Sequence, residues 1–399
     1  MTHAGLSKNF FGMFKETSIA YLFDLGGVLA GFIVAYQLGV FEKAPWAIAL
    51  YPAILSAKGI INGLLSSRLS TALHLGTVKP QFRGNPKGFY KIFEAVIVLT
   101  LILSAAVSLF AFLFGSLFWG ITLADFSSIF LVIISTMTLG LLITLITIQV
   151  TFVAFKKGLD PDTTVYPLMS TISNILITLC FVGVLNLFFF GEIGELLITA
   201  FGLIHVILTL ILVPKNWKVP EFTRTIKESI LTLIIVAFIV NITGTVLKHV
   251  GSIAQNPKVI FTLYPPLIDI VGDTGLIVGS TATTKLALGL LKPSFSSLKN
   301  HLKNVFSAWS SSLVMFSILA ALALVLNGVF SFTSYANLAV ILVISNLIST
   351  VAIVLVTFFV SLITFRRGLD PDSFVIPLMT AIADSIATAA VLVALLLMV

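Results

Sequence analysis

The 399-residue chain is predicted to be an all-α, polytopic membrane protein with about eleven transmembrane helices, built as two parallel five-helix repeats joined by a linker helix. Three observations predict it. The composition is 58% apolar and only 10% charged, with a mean hydropathy of +1.13, more apolar surface than a water-soluble domain can hide. Eleven apolar stretches reach the roughly 20 residues needed to cross about 30 Å of hydrocarbon. Five of them recur in order. The net charge of +7 does not point to nucleic acid, because in a membrane chain the positions of the positive charges matter more than their sum. The lone Cys180 can form no internal disulfide and says nothing about redox compartment.

Taken in order, residues 1–16 lack an apolar core ending in a small-residue cleavage site and are expected to be a short cytosolic tail. The spans follow at 17–40, 47–71, 89–115, 128–154, 163–187, 194–213, 229–250, 262–286, 304–328, 336–364 and 373–397. With the N-terminus in the cytosol, seventeen Lys and Arg fall inside and only Lys43, Lys248 and Lys258 outside. This bias predicts a multi-pass protein of the cell membrane with a cytosolic N-terminus and an external C-terminus. The sixth stretch, ELLITAFGLIHVILTLILVP, is short enough to be interfacial. Without it, however, the basic loops at 292–303 and 366–367 would lie outside, so it is expected to span. His205, alone on that helix, is read first as a residue hydrogen-bonded to a neighbour.

The duplication is direct. GLDPDTTVYPLMSTISNILIT at 158–178 returns as GLDPDSFVIPLMTAIADSIAT at 368–388. YPAILSAKGIINGLLSSRLSTALHLGTVKP at 51–80 aligns with YPPLIDIVGDTGLIVGSTATTKLALGLLKP at 264–293, and Lys15-Glu16 with Lys227-Glu228. Five is odd, so direct fusion would invert the second copy; the extra sixth helix restores its orientation. The expected organisation is a first repeat at 1–190, a linker helix at 191–220 and a second repeat at 221–399, related by a pseudo-twofold axis along the membrane normal. That makes a pseudo-dimer within one chain.

The string PAILSAKGIINGLLSSRLSTALHLG and the two GLDPD-x2-V-x-P-L-M-[ST] segments resemble the solute carrier 41 family and, more distantly, the membrane domain of MgtE magnesium channels and transporters. The resemblance covers nearly the whole chain. It implies divalent cation transport with Mg2+ as the leading substrate, through a pathway at the pseudo-twofold interface of the two repeats. Two departures stand out. The family pattern leads one to expect Asn after Lys58-Gly59, where this chain has Ile60, and Asn174 stands where the other copy has Asp384.

The residues themselves supply a candidate metal set. Ser170, Asn174 and Thr178 match Thr380, Asp384 and Thr388, each triplet at i, i+4, i+8 and so on one polar stripe of an apolar helix. Asn174 and Asp384 lie about 12 residues into their helices, roughly 18 Å deep at 1.5 Å per residue, near the midplane. A carboxylate there is costly unless water, a cation or a partner compensates it. The plainer readings are a protonated or capping Asp384, and hydroxyls bonded back to the preceding turn. Asp269 and Asp273 form an i, i+4 acidic pair in PPLIDIVGDTGLIVG, whose Pro265, Pro266, Gly272 and Gly275 are expected to loosen the helix and free carbonyls. Their counterparts are Ser56 and Ile60, with Lys58 between. Lys58 is expected to pair with Asp269 or Asp273, or else to snorkel to an aqueous cavity; Asn62, one turn on, joins it as a pathway or gating residue, as do Thr178 and Thr388.

In GLDPD, Asp160 and Asp370 suit N-caps, and Asp162 and Asp372 suit the positive helix end, which explains the motif without a ligand. The functional addition is a ring of four carboxylates at the cytosolic mouth, partly cancelled by Lys156-Lys157 and Arg366-Arg367. Asp24 and Glu94 have no matching partner and stay unassigned. Acid, amide and hydroxyl donors without a Cys or His cluster suit Mg2+ better than soft metals. Two alternatives are an intramembrane aspartyl-type enzyme, against which stand the placement of Asp269 and Asp273 on one helix and the absence of G-x-G-D around Asp384, and a cation-coupled exchanger for another divalent metal.

Overall fold

The computed structural model describes residues 10–157, 161–367 and 376–398. Among them every regular element is helical: α1 (Phe10–Asp24), α2 (Val28–Tyr36), α3 (Leu38–Phe41), α4 (Ala47–His74), α5 (Lys87–Phe118), α6 (Leu123–Lys156), α7 (Pro161–Phe188), α8 (Glu192–Asn216), α9 (Pro220–Ile253), α10 (Pro257–Ala287), α11 (Leu302–Leu326), α12 (Phe332–Arg367) and α13 (Ile376–Met398). Among the described residues eleven helices are long and apolar enough to cross a membrane, counting α1 and α2 as one. The protein is a polytopic membrane protein, as its hydropathy predicts.

Two local findings depart from expectation. The first span begins at Phe10 rather than 17, and it is interrupted by a 3-10 turn at Leu25–Gly27, immediately after Asp24. The helix expected to loosen, α10, runs without a break through Pro265 and Pro266. Two adjacent prolines still remove two donors, so the carbonyls of Phe261 and Thr262, four residues back, lack their usual helix partners. The chain uses this place for close packing. A β-carbon placed on Gly31 of α2 would lie 2.2 Å from the Thr262 carbonyl oxygen and 2.4 Å from that of Phe261, so only glycine fits.

The chain divides into two compact units. One comprises the described residues of Met1–Ala35, His249–Pro371 and Ile382–Val399; the other those of Tyr36–Lys248 and Asp372–Ala381. These boundaries differ from those of the sequence repeats: the linker helix and the described residues of Asp372–Ala381 fall in the second unit, and the first helix of each repeat packs with helices of the other repeat. In the first unit α1 and α2 lie against α10 and α11, where the Ser18 and Ser311 hydroxyls bond at 2.7 Å and Gly27 abuts Pro266. In the second unit α9 lies against α4 and α5. There a β-carbon on Gly244 would stand 1.9 Å from the Ala49 carbonyl oxygen, Asn241 donates to the Val107 carbonyl, and Phe110 meets Phe238 edge-on. Gly31 and Gly244 are both 213 positions apart, as are Ala49 and Thr262. The same glycine-on-carbonyl contact is therefore made twice.

The sixth span, α8, packs in the second unit. Buried His205 bonds through Nε2 to the Ile97 carbonyl at 2.9 Å and through Nδ1 to Thr138 Oγ1 at 3.0 Å, tying α8 to α5 and α6. Because a carbonyl only accepts, Nε2 carries the proton and Nδ1 faces the hydroxyl. This is the hydrogen-bonded role its isolation suggests. Glu94, unassigned from sequence, pairs with Lys91 at 2.6 Å and Lys215 at 3.7 Å near the ends of α5 and α8.

Candidate cation site

In the second unit, four polar side chains form one directed chain. The Lys58 ammonium donates to Thr144 Oγ1 at 2.6 Å, Thr144 to Asn62 Oδ1 at 3.5 Å, and Asn62 Nδ2 to Ser173 Oγ at 2.8 Å. All four are buried. The 3.6-residue period puts Lys58 and Asn62, four apart, on one face of α4 towards α6 and α7. Gly140 on α6 leaves room for the Lys58 stem, whose Cδ would stand 3.4 Å from a β-carbon there. The expected carboxylate partner is not found: among the described residues Lys58 makes no ion pair, and a hydroxyl accepts its hydrogen bond instead. Asn174, beside Ser173, is buried, and Thr178, one turn on, bonds to the Tyr51 hydroxyl at 3.2 Å.

The first unit repeats part of this geometry with different charges. The Tyr264 hydroxyl meets Thr388 Oγ1 at 3.2 Å, the counterpart of Tyr51 with Thr178. Thr388 in turn donates to the Asp384 carbonyl at 2.6 Å, the back-bond open to any helical threonine. Asp384 is only 4% exposed. Its helix meets α10 at Gly272, where a β-carbon would lie 3.9 Å from that of Ala383. On α10, Asp273 is buried and Asp269, one turn earlier, is partly exposed. Ser170 and Thr380 are also partly exposed.

Asp24, at the break of the first span, is fully buried, and neither carboxyl oxygen has a hydrogen-bond partner. Burial acts on its carboxyl first, and then the neighbouring acids Asp273 and Asp269 of α10. One turn before it, the Tyr21 hydroxyl bonds to Thr274 Oγ1 at 2.7 Å, fixing α1 against α10. Sequence reasoning left Asp24 without a role because it has no counterpart in the other copy. Its being the one acid between Glu16 and Glu42 was the available signal. Thr144, which accepts the Lys58 hydrogen bond, was also missed, since one hydroxyl among many marks nothing by itself.

Of the remaining expectations, Asp160, Asp370 and Asp372 lie outside the described residues, as does the side chain of Asp162. Among the described residues, no three His, Cys, Asp or Glu side chains stand close enough together to hold a metal ion directly. The donors in both units are oxygens and amides on membrane-spanning helices, hard-cation chemistry rather than soft.

Helices that cross a membrane and bury acids, amides and hydroxyls at mid-length define a polytopic ion transporter. The chain matches the family model MgtE, described as a divalent cation transporter, over residues 51–184 and 264–394, one match in each repeat. It belongs to that family. It is also similar to solute carrier family 41 member 2 of Xenopus laevis, 23% identical over 94% of this chain and 71% of the relative. Solute carrier family 41 member 3 of Mus musculus is likewise 23% identical, over 94% of this chain and 82% of the relative. No solved structure matches.

Proposed function

We propose that this MgtE-family chain carries Mg2+ across the cell membrane along the polar stripes of α7 and α13, with Asp384 as the acid that attracts the ion. Buried Asp384 on a membrane-spanning helix is the observation that supports the reading most. A fixed charge in that position is costly without a counter-ion, and a passing cation supplies one. Mg2+ suits the all-oxygen donor set and keeps several waters, so Asn174, Ser170, Thr380 and the hydroxyls beside them can act on its hydration shell. Asp269 and Asp273 add negative charge from α10, while Lys58, Asn62, Thr178 and Thr388 shape the path. The four GLDPD acids, Asp160, Asp162, Asp370 and Asp372, belong to the same proposal as a gathering ring at the cytosolic mouth. So do the cytosolic N-terminus, the external C-terminus and the pseudo-dimeric relation of the repeats, for which the charge bias and the duplication speak.

The test is Mg2+ flux into liposomes holding the purified chain, with and without sodium and proton gradients, beside protein-free vesicles. Wild-type protein is expected to move Mg2+, and Asp384→Asn to lower the rate about tenfold or more, the scale on which metal-site changes act. Flux no greater than in protein-free vesicles would end the reading.

A further inference from the structure

We propose that Asp24, Asp269 and Asp273 form a binding site for a hydrated divalent cation, with Asp24 as a third carboxylate that no repeat pattern assigns. Only the choice of Mg2+ as the ion rests on the transport reading above. Asp24 is fully buried and both its oxygens lack hydrogen-bond partners. A buried carboxylate in that state costs several times the thermal energy unless something outside the chain's own hydrogen bonds satisfies it. Beside its burial, the groups that act on it are the neighbouring acids Asp273 and Asp269 of α10, and a cation can serve such a set as the missing partner. The three acids come from the end of α1 and from one face of α10, held in register by the Tyr21–Thr274 hydrogen bond.

The other copy is an internal control. Counting 213 positions, which superposes Gly31 on Gly244, takes Asp24 to Ala237, while Asp269 and Asp273 correspond to Ser56 and Ile60. The same two helices pack there through the same glycine-on-carbonyl contact, with no acid at any of the three places. The acids are therefore not needed to build this helix pair. Asp269 is partly exposed, which gives the trio an opening. Among the described residues no three such side chains stand close enough to hold a metal ion directly, so the proposed contact runs through the water that Mg2+ sheds reluctantly.

The test is Mg2+ titration of the full chain in lipid nanodiscs, followed by thermal unfolding and calorimetry. In metal-free buffer Asp24→Asn is expected to melt at or above the wild type, because a partnerless acid is gone. Added Mg2+ should raise the wild-type melting temperature, with affinity about tenfold or more weaker in Asp24→Asn and Asp273→Asn. The exposed Glu195→Gln should match the wild type. Wild-type affinity retained by Asp24→Asn would overturn the site, as would a wild-type chain indifferent to Mg2+. Should Asp24→Asn fail to fold, Asp24→Glu keeps the charge and displaces it by one methylene; it should fold with weakened Mg2+ affinity, and unchanged affinity would overturn the site. Binding of this kind without flux would sink transport and leave the site standing. Flux without it would do the reverse.

Discussion

The two compact units share a scaffold and differ in charge. Each sets a glycine of one repeat's first helix on a carbonyl of the other repeat's second helix, Gly31 on Thr262 and Gly244 on Ala49. Each joins a tyrosine to a threonine at 3.2 Å, Tyr264 to Thr388 and Tyr51 to Thr178. Yet the first unit gathers Asp24, Asp269, Asp273 and Asp384, whereas the second carries Lys58, with Asn174 in place of the last acid. The glycine-on-carbonyl contact kept in both copies serves packing, whereas the charges present in one copy alone are where the two have diverged.

That comparison can be broken at several points. The largest effect is expected from Gly31→Ala and Gly244→Ala, since each new methyl would collide with a backbone oxygen that cannot rotate away. Both should lose about 3 kcal/mol or more in thermal or denaturant unfolding, at the upper end of overpacking costs. Tolerance of one and not the other would show that the glycine contacts are not equivalent.

Lys58→Met sharpens the charge side. Replacing a buried ammonium by an apolar chain of similar length should leave stability unchanged or raise it by about 1 kcal/mol, because the only hydrogen bond lost is that to Thr144. Mg2+ flux should change all the same. A variant neutral in both stability and flux would take Lys58 out of the pathway. Smallest is the paired change Tyr51→Phe and Tyr264→Phe, which removes the hydroxyl contacts to Thr178 and Thr388 and should cost about 1 kcal/mol each. The two costs should be similar and additive in the double variant, and a large difference would mean that the paired bonds serve different ends.

Much of the architecture was legible in the residues because span length and hydropathy act locally. All eleven spans were found where apolar runs of sufficient length occur, and the duplication was visible as repeated strings. The exchange of first helices was not legible. Which helix packs on which is decided by close contacts such as Gly31 on the carbonyls freed by Pro265 and Pro266, and hydropathy is blind to them. The same limit misled the reading of α10, where two prolines suggested unwinding but a neighbouring glycine fills the gap instead. Around the site, the polar stripes of α7 and α13 were readable from their i, i+4, i+8 spacing. The partner of Lys58 was not, because charge reasoning looks for a carboxylate and the chain supplies a hydroxyl. Asp24 was not legible for a related reason: it occurs in one copy only, so the duplication does not mark it.

The central claim is that the acid of one copy, Asp384, contributes more to holding the ion than the amide of the other, Asn174. It is tested most directly by measuring Mg2+ flux in the same liposome preparation for Asp384→Asn and Asn174→Ala. The account predicts a loss of about tenfold or more for the first and a distinctly smaller one for the second. Equal losses, or an Asp384→Asn variant that transports like the wild type, would contradict it.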